Sequence, residues 1–386
     1  MGKKIYDVIV VGTGAGGGMA IKTLCEAGLK VLVLNNGRRV VPAKDFRSHQ
    51  QRYEMKYRGF GDPKFPRNHD ENEYTQGLWE HDVTYVNAPG GNWEWVRCKV
   101  TGGKANFWGR SSCRLGDIDF RAASLDGFDV DWPVTYEEMA PYFSRIEKMI
   151  GVASTAQNRP SNPDGDYLPP IPFRCVDYVL QKGAEKVGVP YLPDRSAQLT
   201  VAHNGHPPCH YCGNCGSGCD TGSFYSPTWF TIPAAEKTGN LELRTDAIAW
   251  KVLVDESGQA NGVAYIDRNT KREVEVYSKA VVVAASCLET THIMLNSKSR
   301  HWPTGIANSS GQLGRNLSDH LYGTPAYGFL PQLLGQPSRA DNISSATIAW
   351  MPRWQNLKNP HEEKFIRGYG VYSYGGCSEF PWYHKH

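Results

Sequence analysis

Tyr6-Asp7-Val8-Ile9-Val10-Val11 runs without a break into Gly12-Thr13-Gly14-Ala15-Gly16-Gly17. The first six residues are a short apolar, β-branched run, as a buried parallel strand requires. The next six match G-x-G-x-x-G. Gly18 to Ala27 then reads as a helix with Ala20, Leu24 and Ala27 on one face, and Gly28 ends it as a C-cap. Lys30-Val31-Leu32-Val33-Leu34 is the second strand. A bare G-x-G-x-x-G says little, but strand, turn, helix and second strand in succession specify a dinucleotide site. In such a unit Gly12 permits the tight turn and Gly14 lets the backbone approach a pyrophosphate. Gly17 lets the helix pack on the strand, and the helix N-terminus turns its free N–H groups to the phosphates. One position departs from the pattern. An acidic residue normally ends the second strand and accepts hydrogen bonds from the ribose. Here Asn35 stands, followed by Asn36. An amide oxygen accepts without charge assistance, so a weaker hold on adenosine is expected.

The 386 residues suffice for two domains, or for one large domain with an inserted lobe. With 40% hydrophobic and 21% charged residues, the chain has the composition of an ordinary globular protein. The 11 Trp and 20 Tyr suit the lining of a sugar or ring-shaped ligand site, and equally the filling of a core. The net charge of +3 is small and the Lys and Arg are scattered, which argues against a nucleic-acid surface. No apolar stretch approaches the roughly 18 residues of a transmembrane segment. The longest, Val8 to Val11 and Ala280 to Ala285, are strand-sized. No secretory signal precedes the first strand, which points to the cytoplasm, or to the periplasm if a partner subunit carries the export signal.

A second glycine turn follows at Thr101-Gly102-Gly103-Lys104-Ala105-Asn106-Phe107-Trp108-Gly109. Paired glycines give a backbone that can lie against a flat ligand, with Asn106 and Trp108 placed to line it. With this stretch the chain resembles the glucose–methanol–choline (GMC) oxidoreductases, in particular their bacterial sugar and gluconate dehydrogenase branch. In that family a Gly-Gly turn wraps the flavin, and some members carry a covalently linked His one residue before the Trp. Phe107 stands there, so the resemblance implies non-covalent FAD. Asp131-Trp132-Pro133 followed by a helix from Glu137 to Ile150 is also similar, and Thr135 with Glu138 forms a capping pair on its own merits. Ala284-Ala285-Ser286-Cys287-Leu288-Glu289-Thr290 resembles the turn that returns to the nucleotide domain. Gly314-Arg315-Asn316-Leu317-Ser318-Asp319-His320 resembles a further family segment. The resemblance implies cofactor contacts from Ala247, Ala285, Ser286, Glu289, Asn316 and His320. Between them, Leu241 to Val283 reads as several strands separated by turns at Ser257-Gly258 and Asn261-Gly262, leading into a nucleotide-domain strand.

Cys209-x2-Cys212-x2-Cys215-x3-Cys219 is the sharpest chemical signal. Four thiolates so close do not share out among ordinary disulfides without strain, and the spacing is that of bacterial ferredoxins. It leaves open three or four sulfur ligands, and a 3Fe-4S or a 4Fe-4S cluster. Related sugar dehydrogenases carry such a cluster, so the resemblance favours iron; structural zinc and no metal at all are the alternatives. A cluster would split the flavin's two electrons and pass them singly to an outside acceptor such as a cytochrome, beside a small subunit.

The expected fold is α/β: a Rossmann-like FAD-binding domain from residues 1–125 and 240–325, an inserted loop-rich lobe with the cysteines at 126–239, and the start of an antiparallel substrate-binding sheet at 326–386. Strands are expected within Gly323 to Leu330, Ser344 to Met351 and Phe365 to Tyr374. The resemblance places the catalytic base in a segment past residue 386, so no catalytic residue is nominated, and a chain lacking its C-terminal part is expected. The expected activity is oxidation of an alcohol or sugar hydroxyl. An electron-transfer flavoprotein without its own alcohol substrate, and a nucleotide-binding protein with a zinc knot, are the competing readings.

Overall fold

The computed structural model describes residues 5–50, 54, 85–91, 95, 97–213, 215–318, 326, 328, 330, 331, 348–359 and 363–373. In chain order its elements are β1 (Ile5–Val11), α1 (Ala15–Glu26), β2 (Val31–Leu34), α2 (Pro42–Asp45), α3 (Asp117–Phe120), α4 (Ala122–Asp126), α5 (Tyr136–Ile150), α6 (Cys175–Lys186) and β3 (Leu192–Pro193). Then come α7 (Thr231–Lys237), β4 (Leu241–Arg244), β5 (Ala247–Val254), β6 (Ala260–Asp267), β7 (Glu273–Val283), α8 (Cys287–Asn296), β8 (Ala349–Met351) and β9 (Val371–Tyr372). The architecture is α/β. The chain forms two compact units: Met1–Trp108 with Gly216–Asp220 and Ser226–Pro325, and Gly109–Cys215 with Thr221–Tyr225 and Ala326–His386.

The first unit is built on a six-stranded sheet in the order β4-β2-β1-β7-β6-β5. β1 lies parallel to β2 on one side, Val8 opposite Val31, and parallel to β7 on the other, Val11 opposite Val283. β4 continues the parallel set beyond β2, whereas β6 and β5 run antiparallel. Side chains alternate across a strand, so β1 feeds two cores. Val8 and Val10 pack with Ile21 and Cys25 of α1 and Ala235 of α7. Ile9 and Val11 pack with Val252, Val263, Tyr265 and Ile293. Each such buried side chain contributes roughly 1.5–3 kcal/mol, which is why positions 8 to 11 are all apolar.

Three expectations change in this unit. Helix α1 begins at Ala15, not Gly18, with Gly14 as N-cap. Its buried face is Gly17, Gly18, Ile21 and Cys25, while Ala27 is exposed. Counting apolar side chains missed the glycines, which make the closest contacts because they have no side chain. Asn261-Gly262 is not a turn but lies inside β6. A Cβ on Gly262 would overlap the carbonyl oxygen of Val276 in β7, so this glycine permits a close strand approach. Finally, the nucleotide-domain strand expected from Ala280 is not separate from the strand before it. β7 pairs antiparallel with β6 through Glu273 to Tyr277 and parallel with β1 through Tyr277 to Val283, joining both halves in one strand.

The second unit combines α3 to α6 with long irregular segments and a three-stranded antiparallel sheet, β3-β8-β9. Thr135 caps α5 in a reciprocal box with Glu138: each backbone N–H donates to the other's side chain. Arg114 donates through Nε to Glu147 at 2.8 Å, inside the unit. Ala153, Ile171, Ala184, Tyr191, Ile348 and Ala349 form its core. β8 and β9 fall within two of the expected strand regions; most of Gly323 to Leu330 lies outside the described residues. No helix among the described residues is long and apolar enough to cross a membrane.

Candidate functional site

The four parallel strands of the first unit present their C-terminal ends on one side. From β1 the chain moves to β2 on one flank, and it returns through β7 on the other. Between β1 and β7 lies the switch point, where open α/β sheets hold ligands. Gly12 follows β1 and Ala284-Ala285-Ser286 follow β7. Gly12 donates to Leu34 O at 2.9 Å, and Ala284 donates to Val11 O at 2.8 Å, so all three strand exits are tied together.

The glycines of the fingerprint have separate reasons. Gly12 has φ +95°, and a Cβ there would lie 2.5 Å from Ala284 O. Gly17 sits directly on the Gly12 carbonyl. At Gly14, by contrast, an added Cβ meets no atom of the described residues within 4 Å. Protein packing accounts for Gly12 and Gly17 but not for Gly14, which faces open space at the start of α1. The first intrahelical bond runs from Gly18 N to Gly14 O at 2.7 Å, no side chain caps the helix, and no acidic residue occupies its first turn. Open space beside uncapped N–H groups fits a diphosphate.

The second glycine turn belongs to the same structure. Gly102, at φ +84°, donates its N–H to Thr13 Oγ1 at 2.9 Å. A Cβ on Gly103 would stand 3.8 Å from Gly14 Cα. The two turns, far apart in sequence, thus meet at Thr13 and Gly14.

The remaining expected contacts divide. Ala247 donates to Asn35 O at 3.0 Å and is buried. Ala285 is half-buried at the β7 exit; Ser286 is exposed with φ +73°. Glu289, in the first turn of α8, accepts from Arg97 Nη1 at 3.2 Å. Asn35 is 4% exposed and its side chain is bonded on all sides, to Thr13, Gly37 and Lys99. Half-buried Asn36 accepts from Arg268 at 3.5 Å. Asn106 is fully buried beneath the second turn, donating to Thr101 O and accepting from Thr228. Trp108 is half-buried, and Phe107 packs edge-on against Phe46 with centroids 5.6 Å apart. Asn316 is exposed and donates to Gln312. His320 lies outside the described residues. Sequence reading missed Thr13, an unspecified position of the fingerprint, and Arg97, whose guanidinium lies 4.4 Å from the Trp95 ring centroid. Neither position carries a local signal.

The cysteine run behaves differently. Among the described residues, no group of three or more His, Cys, Asp or Glu is arranged to hold a metal ion, these four included. The cluster expected from their spacing therefore finds no support in this arrangement.

A family model for GMC oxidoreductases matches residues 127–322, just over half of the chain. The chain belongs to the GMC oxidoreductase family. The 2-methyl-1,2-propanediol dehydrogenase of Mycolicibacterium austroafricanum is 31% identical over 321 residues, covering 82% of this chain and 55% of that protein. The fructose dehydrogenase large subunit of Gluconobacter japonicus is 27% identical over 329 residues, 81% of this chain and 58% of that subunit. Among solved structures, pyridoxine 4-oxidase from Mesorbium loti aligns with a TM-score of 0.49 and 15% identity, over 76% of this chain and 52% of that one. This GMC chain therefore spans a little over half the length of these two relatives.

Proposed function

We propose that this GMC oxidoreductase chain holds FAD at the joined glycine turns and takes part in oxidising an alcohol or sugar hydroxyl. The observation that carries the reading is Gly14: a glycine without a packing reason, open beside an uncapped helix and framed by a second glycine turn. On this reading the first N–H groups of α1 orient the diphosphate, and the turn at Gly102-Gly103 lies along the cofactor. Ala285, Ser286 and Glu289 border it at the β7 exit, with Asn316 and His320 assigned to it by the family resemblance. Phe107 offers no nucleophile and is engaged with Phe46, which supports non-covalent attachment. When bound, FAD accepts a hydride from the carbon of a CH–OH group. The discontinuous cofactor domain of residues 1–125 and 240–325, the lobe at 126–239 and a substrate-facing sheet from 326 form part of the same proposal.

The names of the relatives, a diol dehydrogenase and the large subunit of a sugar dehydrogenase, support polyols and sugars as substrates and a further subunit as partner; a cytochrome acceptor is proposed on the family resemblance alone. An iron–sulfur centre at Cys209, Cys212, Cys215 and Cys219 rests on their spacing alone, and no step is routed through it. The test is an absorption spectrum of anaerobically purified protein, with iron, zinc and acid-labile sulfide assayed on the same sample. Flavin bands bleached by a sugar or polyol support the oxidoreductase; a colourless protein that takes up no FAD overturns it. Iron with sulfide supports the relay, and zinc in their place supports the structural knot.

A further inference from the structure

Asn35 stands where dinucleotide folds usually carry a ribose-binding acid, yet its side chain points into the protein. It is 4% exposed, and Thr13 beside it is 1% exposed. The bonds run in one direction. Gly102 N–H donates to Thr13 Oγ1 at 2.9 Å, and Thr13 Oγ1 donates to Asn35 Oδ1 at 2.7 Å. Asn35 Nδ2 then donates to Gly37 O and Lys99 O, both at 2.9 Å. Two carbonyl acceptors demand the NH2 end of the amide, which fixes its orientation. Neighbouring backbone bonds, from Gly37 N to Lys99 O and from Thr101 N to Arg38 O, continue the same seam.

We infer that Asn35 is a positioning residue that pins the second glycine turn to the fingerprint turn, and not a contact of the adenosine ribose. The amide is then required rather than a weakened substitute for an acid. A carboxylate of the same shape would set an oxygen against the carbonyls of Gly37 and Lys99, losing two donors and leaving a buried charge unpaired. Because Gly103 stands against Gly14, loosening the pin moves one wall of the cradle relative to the other. The cofactor half of this inference rests on the FAD reading above; the folding half does not.

The two roles predict opposite signs for Asn35→Asp. A ribose contact gains charge assistance, so FAD binds more tightly as the carboxylate ionises. A pin loses: the apo-protein melting temperature falls by roughly 3–8 °C, and FAD affinity drops about tenfold or more. Both deficits shrink as pH falls towards 5, because a protonated carboxyl can donate to one carbonyl. Thr13→Val, which removes the middle of the chain of bonds, reproduces the loss, and Thr13→Ser, which keeps the hydroxyl, stays near the parent in melting, affinity and the visible circular dichroism of the bound flavin. The measurements are apo-protein melts and FAD titrations by flavin fluorescence between pH 5 and 8. Tighter FAD binding by Asn35→Asp at pH 8 with an unchanged melt overturns the inference. So does a Thr13→Val protein that matches the parent in both readouts, a comparison that stands even where Asn35→Asp does not fold. A parent that binds no FAD removes the cofactor reading alone, and the apo-protein melts of Thr13→Val and Thr13→Ser still decide the pin.

Discussion

Gly17 rests on the carbonyl of Gly12 so closely that a Cβ at position 17 would overlap that oxygen. Gly14, between them in sequence, has nothing within reach among the described residues. The two positions therefore separate folding from ligand binding. Gly17→Ala must push α1 off the β1 exit, and a forced fit of this kind costs about 1–3 kcal/mol. Gly14→Ala keeps an ordinary φ of −66° and should leave the fold intact, but its methyl would fill the space that the proposed site assigns to the diphosphate. Thermal melts of the two apo-proteins should differ, with only Gly17→Ala shifted, whereas FAD titration should show both weakened. A Gly14→Ala protein that binds FAD like the parent would remove the main support for the cofactor site.

The first strand, fingerprint, helix and second strand were legible because each signal is local: a β-branched run, a glycine turn and an apolar run in direct succession. What escaped were relationships whose partners lie far away. Nothing near Asn35 in sequence shows that its amide donates to Lys99 O, 64 positions on. Asn261-Gly262 has turn chemistry, but pairing with β7 overrides it, and the glycine serves the close approach of two strands instead. Nothing local announces that β7 changes partner at Tyr277, since strand residues look alike whether their neighbour is parallel or antiparallel. The cysteine run shows the converse. Its spacing is sharp in sequence, yet spacing alone does not place side chains around one point.

Ser286 has φ +73° and ψ 167°, a region that residues with a Cβ rarely adopt. It stands between the end of β7 and the start of α8, where its carbonyl accepts from Thr290 N at 2.9 Å. Ser286→Gly relieves the backbone without disturbing that bond, and should stabilise the apo-protein by about 1 kcal/mol despite the greater freedom of glycine when unfolded. Denaturant titration of parent and variant checks this. An unchanged or lower midpoint would mean that the serine side chain returns more than the strain takes.

Two thiols are held protonated by burial. Cys25, 1% exposed, is pushed up to about 11 by burial. Half-buried Cys113 is pushed up to about 12 by burial and then by the charge of Asp194. Native protein treated with iodoacetamide at pH 8 should leave both unmodified, while the exposed Cys175 and Cys287 react; mass spectrometry of the digests reads the difference. The same shifts have an alkaline consequence. An unfolded thiol ionises near ~8.5, so above that pH the unfolded chain sheds its protons first and native stability declines. For Cys25 the loss reaches roughly 2–3 kcal/mol by pH 11, and Cys25→Ala should flatten that part of the stability–pH curve.

Arg367 holds Asp126 with two bonds, from Nε to Oδ2 at 2.6 Å and from Nη2 to Oδ1 at 3.3 Å, and also donates to Phe128 O at 3.1 Å. These bonds tie the end of α4 to the segment before β9 within the second unit. Arg367 keeps the Asp126 carboxyl below its usual range, chiefly through that hydrogen bond. The arginine is 42% exposed and the aspartate 3%, so the pair lies between a surface and a buried bridge. Arg367→Ala should therefore cost about 1–2 kcal/mol near neutral pH. Because the folded pKa is depressed, the ionic part of this contribution is complete above the unfolded value of ~3.9 and disappears as pH falls through the lower folded value. The stability gap between parent and Arg367→Ala should stay level from pH 8 to 5 and close below about pH 4. A gap that persists at pH 3, measured by urea titration, would mean that Arg367 acts through packing and its bond to Phe128 O rather than through charge.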